Sequence, residues 1–240
     1  MLQAPPTWIL LHGLLCDADT WSDFIGPISR AGHVLAARLS GIDSLPGAAQ
    51  AVLGQIEGPL VVVGHSMGGR VALEIARQAP ERVRGLVLMN TGYRGLGEGE
   101  IAKRQAIAQA ARAGGIAAIA DDWLDGMIAP DTRGNAALMA RMRAMVLRST
   151  VDSFTGQIRA LVERPDATDL LPRIACPALL MSGTHDRWSP LSRHEDMAGR
   201  IPGAELGAIE GAGHMAPFEA PAACVARILD WAARHRLTPA

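Results

Sequence analysis

The chain has 240 residues, 49% of them hydrophobic and 20% charged, with a formal net charge of -1. That balance excludes a disordered chain and a basic nucleic-acid binder, and the length suits one large domain or a smaller one carrying an insertion. Lys103 is the only lysine among the 23 basic residues. The cysteines, Cys16, Cys176 and Cys224, are odd in number, far apart and without a CxxC pair, so neither a disulfide framework nor a zinc site is expected and a reducing compartment suits them.

In chain order, short apolar runs alternate with segments of helical period. The first, Trp8–His12, has no basic segment before it and leads straight into His12-Gly13, which fits neither a signal peptide nor a membrane span; a cytoplasmic protein is expected. Strands are predicted there and over Val34–Ala37, Leu60–Gly64, Val83–Asn90, Ala178–Gly183 and Glu205–Glu210. Leu60-Val61-Val62-Val63 and Leu86-Val87-Leu88 lack polar alternation, as central parallel strands covered on both faces do. Between them, Met67–Gln78 carries Val71, Ile75 and Ala79 on one stripe. Near the end, Val225, Ile228, Leu229 and Ala232 give a last helix its buried face. The fold class is therefore α/β, a mostly parallel sheet flanked by helices.

The alternation fails from 95 to 171, where only helical patterns occur: Ile101–Arg112, Ile116–Leu124, Asn135–Arg148 and Val151–Glu163. A helical cap over 95–171 is expected, inserted in a core formed by 1–94 and 172–240. In open parallel sheets ligands bind beside the carboxyl ends of the strands, where such an insertion forms a roof.

Gly64-His65-Ser66-Met67-Gly68 matches G-x-S-x-G between a predicted strand and a predicted helix, the context in which that pattern lifts a nucleophilic serine above the sheet. A serine hydroxyl needs a base, and the chain has seven histidines. His33 precedes a strand, His194 lies in a helical pattern after Pro190, His235 is in the tail, and His65 is held beside the serine by the turn itself. His12 is better used to shape the turn after the first strand, and His185 leaves the loop to Asp186. His214, in the glycine-rich loop after the last strand, is the predicted base. Asp186, after the preceding strand, is the predicted acid that fixes its tautomer. The rival acid position, at the end of the strand after the nucleophile, reads Met89-Asn90-Thr91 and holds no carboxylate. The amides of Leu14, in His12-Gly13-Leu14-Leu15, and of Met67 are placed as an oxyanion hole, and Cys16 as a small apolar filler.

His12-Gly13, Gly64-His65-Ser66-Met67-Gly68-Gly69, Gly183-Thr184-His185-Asp186 and Gly211-Ala212-Gly213-His214, in that order, resemble the landmarks of the α/β-hydrolase superfamily. The likeness is to its small lidded serine hydrolases, the branch of carboxylesterases, enol-lactonases and the pimeloyl-carrier methyl esterase. It covers nearly the whole chain and implies a serine hydrolase of carboxylic esters or lactones that works without cofactor or metal on a small molecule. Serine at position 66 sets the chain apart from the haloalkane dehalogenases and epoxide hydrolases, which attack with aspartate. One departure is expected: the two antiparallel strands that usually precede the His-Gly strand are expected to be missing, a shortened N-terminus, since only Met1–Thr7 is available for them.

Trp123, Met127, Met139, Met142 and Met145 of the cap, with Trp188, Met215 and Phe218, suggest an apolar acyl pocket; of these, Trp123, Met127, Met142, Trp188 and Met215 are taken as substrate-binding. More than half of the cap residues are expected to be core. Apart from Arg70, the residues flanking Leu14, Ser66, Trp188 and Met215 show no cluster of cations, so acyl groups without charge are expected. Ser66-Met67-Gly68-Gly69-Arg70 is also similar to the serine lyase of menaquinone synthesis, in which Arg70 would bind a substrate carboxylate. A third class is a ligand receptor on the same fold without turnover, against which the complete triad argues.

Overall fold

The protein is described by a computed structural model covering residues 5–238. Six strands, β1 (Thr7–Leu11), β2 (Val34–Ala37), β3 (Leu60–His65), β4 (Val83–Met89), β5 (Ala178–Gly183) and β6 (Glu205–Ile209), form one sheet. Its order is β2-β1-β3-β4-β5-β6, and every neighbouring pair is parallel. The strands lie within a residue or two of those expected. Among the described residues no strand precedes β1; the expectation of missing strands falls mainly on residues 1–4, which lie outside the described residues.

The apolar runs of the strands are continuous because successive side chains enter two different cores. Ile9, Leu11, Val62, Leu86, Leu88 and Leu180 meet α2 (Leu45–Leu53), α3 (Met67–Gln78) and α8 (Leu191–Ala198) on one face. Trp8, Leu10, Val61, Val63, Val87 and Met181 meet α1 (Ser22–Ser29) and α10 (Pro221–Arg234) on the other. A single strand residue exchanged for a charge would therefore strand that charge in one core or the other, a cost of several kcal/mol. Helix α2 starts on a capped turn, where the Ser44 Oγ accepts from the Gly47 N–H at 3.2 Å and Pro46 occupies the first turn.

Between β4 and β5 the chain forms α4 (Glu100–Gly114), α5 (Ala117–Asp125), α6 (Ala136–Leu147) and α7 (Val151–Val162), with no strand among them. Asn135 and Thr150 cap α6 and α7, accepting from the N–H groups of Leu138 and Ser153. These helices build a third apolar cluster, with Ala111, Trp123, Met142, Met145 and Phe154, which also takes in Leu15 and Cys16 from the loop after β1, and Met215 and Phe218 from the start and body of the short helix α9 (Ala216–Glu219) after β6. No helix among the described residues is long and apolar enough to cross a membrane.

The strand order reverses between β1 and β3: from β1 the chain moves outward to β2, then crosses back to β3 and continues the other way. Loops leaving β1 and β3 diverge there and open a crevice at their carboxyl ends. His12-Gly13-Leu14 and Ser66 are the residues that leave those two ends.

Candidate active site

Ser66 has φ 55° and ψ -116°, in the left-handed region that a residue with a Cβ avoids. The strain persists because β3 and α3 hold the turn from both sides. The following helix can start so close to β1 only with glycine at its first turn, since a Cβ on Gly68 would lie 2.1 Å from the Leu11 carbonyl oxygen.

Ser66 Oγ is 2.8 Å from His214 Nε2, and His214 Nδ1 is 2.9 Å from Asp186 Oδ2. A carboxylate only accepts, so Nδ1 carries the proton and Nε2 presents its lone pair to the serine O–H. Asp186 is buried. Burial alone would raise its pKa, but the adjacent His214 ring, the hydrogen bond from it, and donors from Ser189 and Asn90 hold it well below the usual carboxylate range. Its Oδ1 accepts from the N–H groups of Trp188, at 2.8 Å, and Ser189, at 2.9 Å. Its Oδ2 also accepts from Asn90 Nδ2 at 2.9 Å. Every acceptor direction of this carboxylate is filled by a donor.

Asn90 belongs to this hydrogen-bonded row and was passed over by sequence reasoning, which registered it only as the absence of an acid. It stands at the end of β4 with φ 48°, and its Nδ2 also reaches the Gly213 carbonyl at 3.2 Å. An Asn after an apolar strand could have been read as a residue suited to positive φ.

The remaining histidines near the site have fixed, neutral tautomers. His65 Nε2–H donates to the His214 carbonyl at 2.8 Å, and its Nδ1 is buried without a partner. Burial, with the neighbouring His214, pushes the His65 pKa down to about 3. His12 Nδ1–H donates to the Gly13 carbonyl at 2.9 Å while Nε2 accepts from the Leu39 N–H at 3.2 Å. It therefore holds the turn after β1, and burial lowers its pKa. His194 Nε2 accepts from the Thr91 N–H at 3.1 Å, and burial pushes its pKa down to about 4. The Cys16 thiol, buried in the third cluster, is pushed up to about 12 by that burial, which keeps it a thiol and not a thiolate.

Leu14 and Met67 border the same cavity as Ser66 and His214. Met67 is the first residue of α3, so its N–H has no intrahelical acceptor; the Leu14 N–H has no backbone acceptor among the described residues. Both N–H groups thus belong to residues bordering the cavity and have no backbone acceptor among the described residues.

The cavity measures about 590 Å³. Of the residues expected to bind substrate, Trp123, Met127 and Trp188 line it, with Ile107, Ile158 and Leu161 continuing the apolar wall. Trp188 is 53% exposed at the rim, its indole N–H bonded to the Gly126 carbonyl at 3.1 Å. Met142 and Met215 are placed elsewhere: both are fully buried in the third cluster and border no part of the cavity. Helical spacing cannot separate the two environments, because a residue one turn away from the cavity has the same period as one lining it.

The expectation of sparse charge fails. Arg70, Arg94, Lys103, Arg104, Arg164 and Arg193 line the cavity against only Glu98 and Glu100. Glu100 is taken by Arg104 and Arg164, whose hydrogen bonds overcome its burial and hold its pKa at about 2. Arg70 has no carboxylate partner among the described residues: its Nη1 donates to the Arg94 carbonyl at 2.9 Å, and burial together with Arg164 and Arg104 pushes its pKa down to about 9. Among the described residues no group of three His, Cys, Asp or Glu is arranged to hold a metal ion.

A parallel α/β sheet with a serine on a strained strand-to-helix turn, bonded through an imidazole to a buried carboxylate, defines a hydrolase-type site. The chain belongs to the Alpha/beta hydrolase family, whose profile matches residues 8–227. It is 28% identical over 226 residues to a pimeloyl-[acyl-carrier protein] methyl ester esterase of Neisseria meningitidis, covering 87% of this chain and 70% of that one. Among solved structures it is similar to a thermophilic esterase from Thermogutta terrifontis, with TM-score 0.87 and 27% identity over 97% of this chain and 91% of that one. The enol-lactonase from Burkholderia xenovorans shares the fold, with TM-score 0.85 and 23% identity over 96% and 92% of the two chains. Its relatives are esterase-type hydrolases, which supports an enzyme.

Proposed function

We propose that the protein is a cofactor-independent serine hydrolase of carboxylic esters or lactones. The observation that carries this reading is the row Ser66 Oγ, His214, Asp186, joined by hydrogen bonds of 2.8 and 2.9 Å, with Ser66 and His214 bordering the cavity. As Ser66 Oγ attacks the carbonyl carbon, His214 Nε2 takes its proton and Asp186 stabilises the imidazolium. The Leu14 and Met67 N–H groups face the developing oxyanion. Collapse breaks the acyl C–O bond, His214 returns the proton to the leaving alkoxide, and water repeats the sequence to free the acid.

The cavity supports a substrate with two parts. Methylenes of an acyl group fit the wall of Trp123, Met127, Ile107 and Ile158, while a carboxylate further along the chain would meet Arg70, which forms no ion pair among the described residues. That same arginine favours a second reading, a lyase acting on a carboxylate-bearing substrate through Ser66. Product analysis separates the two, since hydrolysis consumes one water and releases an alcohol or hydroxyl, whereas elimination does neither.

The test is a fluorophosphonate probe with Ser66→Ala beside the wild type. Wild-type protein should be labelled at Ser66 alone, and the variant should keep its fold while losing at least about a thousandfold in ester turnover. Labelling or turnover that survives in the variant overturns the proposal.

A further inference from the structure

The peptide groups around His214 are held by two sets of partners. From the sheet side, Asn90 Nδ2–H donates to the Gly213 carbonyl and His65 Nε2–H to the His214 carbonyl. From the helical side, the Met127 carbonyl accepts from the N–H groups of both His214, at 2.8 Å, and Met215, at 3.2 Å. The Gly213 N–H remains, and it donates to Glu219 Oε1 at 3.0 Å. Since a buried peptide group is seldom left unpaired, these bonds fix where the imidazole can sit.

Glu219 does more than satisfy one donor. Its other oxygen, Oε2, accepts from the Ala129 N–H at 2.8 Å and from Thr132 Oγ–H at 2.6 Å. One carboxylate thus ties the loop after β6 to the segment after α5. The two backbones are pressed together at that point, for a Cβ on Gly213 would lie 2.5 Å from the Ala129 nitrogen. The same segment contains Met127, whose side chain lines the cavity while its carbonyl holds the His214 N–H.

We infer that Glu219 is a positioning residue for the reaction: by clamping Gly213 to Ala129 and Thr132 it sets the His214 imidazole against Ser66, and makes the 126–132 segment a fixed part of the catalytic framework. The inference rests on the triad reading proposed above. It follows that contact between substrate and the Met127 side chain is felt at the base, and that the cavity opens elsewhere than along this seam.

Glu219→Gln tests it, because an amide cannot accept from both sides. With its oxygen toward Gly213 it presents N–H groups to the Ala129 N–H, and reversed it confronts the Gly213 N–H. A displacement of about 1 Å of the base costs about a hundredfold, so kcat for a p-nitrophenyl ester should fall ten- to a hundredfold with KM nearly unchanged, at a temperature well below the unfolding midpoint. The low-field proton resonance of the His214–Asp186 hydrogen bond should shift or broaden. Thr132→Val, which removes one donor and little volume, should lower kcat several-fold in the same pattern and stands in if the glutamine variant does not fold. Wild-type kcat in either folded variant, a fall in thermal midpoint alone, or a rise in KM with kcat intact overturns the inference. Ser66→Ala runs beside them: if it keeps turnover the triad reading fails and this inference with it, whereas a dead Ser66→Ala beside a wild-type Glu219→Gln removes this inference alone.

Discussion

Replacing Asp186 by asparagine is nearly isosteric, and the structure says why it should be severe. Oδ2 accepts from His214 Nδ1 and Asn90 Nδ2, and Oδ1 from the N–H groups of Trp188 and Ser189. An asparagine must put its NH2 on one of these sides, so either orientation sets donor against donor. Toward the backbone, the clash leaves buried N–H groups unsatisfied at about 1–3 kcal/mol. Toward the histidine, the imidazole relieves it by moving its proton to Nε2, where it points at Ser66 Oγ and the base is lost. Neither orientation supplies the negative charge that stabilises the imidazolium. The wrong tautomer in a comparable triad costs about ten-thousandfold in kcat, or about 5 kcal/mol of transition-state stabilisation. The assay is kcat for a p-nitrophenyl ester at a temperature where near-ultraviolet circular dichroism shows both proteins folded. A folded Asp186→Asn within tenfold of wild type would refute the reasoning, and would be decisive if loss of another carboxylate abolished turnover.

Other outcomes follow from the same geometry. His65 and His194 are buried neutral, pushed down to about 3 and about 4 from an ordinary 6.5; in that window the unfolded chain binds about two more protons than the native one. Stability is therefore complete above about pH 6.5 and falls on acidification, by about 3 kcal/mol per pH unit near pH 5; urea melts at several pH values check this, and a slope below one proton contradicts it. Gly68→Ala must move backbone, because its Cβ would meet the Leu11 carbonyl oxygen at 2.1 Å; loss of fluorophosphonate labelling together with stability is expected, and a fully active, wild-type melting variant would show the elbow to be slack. Rates for p-nitrophenyl esters should rise from acetate toward hexanoate at about 0.8 kcal/mol per methylene and then level off, with Trp123→Ala moving the plateau; an unchanged chain-length profile would remove Trp123 from the acyl wall. Arg70→Met should cost a carboxylate-bearing ester about ten- to a hundredfold in kcat/KM relative to its uncharged analogue, and equal losses for both would make Arg70 structural.

The local parts of this protein were legible without coordinates because backbone periodicity and turn chemistry are short-range. Six strands, the helices between β4 and β5, the serine on its turn and the order Ser66, Asp186, His214 all follow from apolar runs and the glycines that end them. Parallel topology did the rest, since each such run delivers its last residue to one edge of the sheet. Tertiary structure alone decided which side chains share the cavity. Arg70 comes from α3, Arg104 from α4, Arg164 from beyond α7 and Arg193 from α8. No window of sequence holds them together, and long guanidinium arms reach a common space only once the helices are seated. The same holds for Met142, which packs inward, and Met127, which faces the cavity from the connection after α5. Asn90 and Glu219 were hidden for a related reason: several of their partners are backbone groups, at Gly213 for Asn90 and at Gly213 and Ala129 for Glu219, and a peptide N–H or carbonyl leaves no mark in the residue it belongs to.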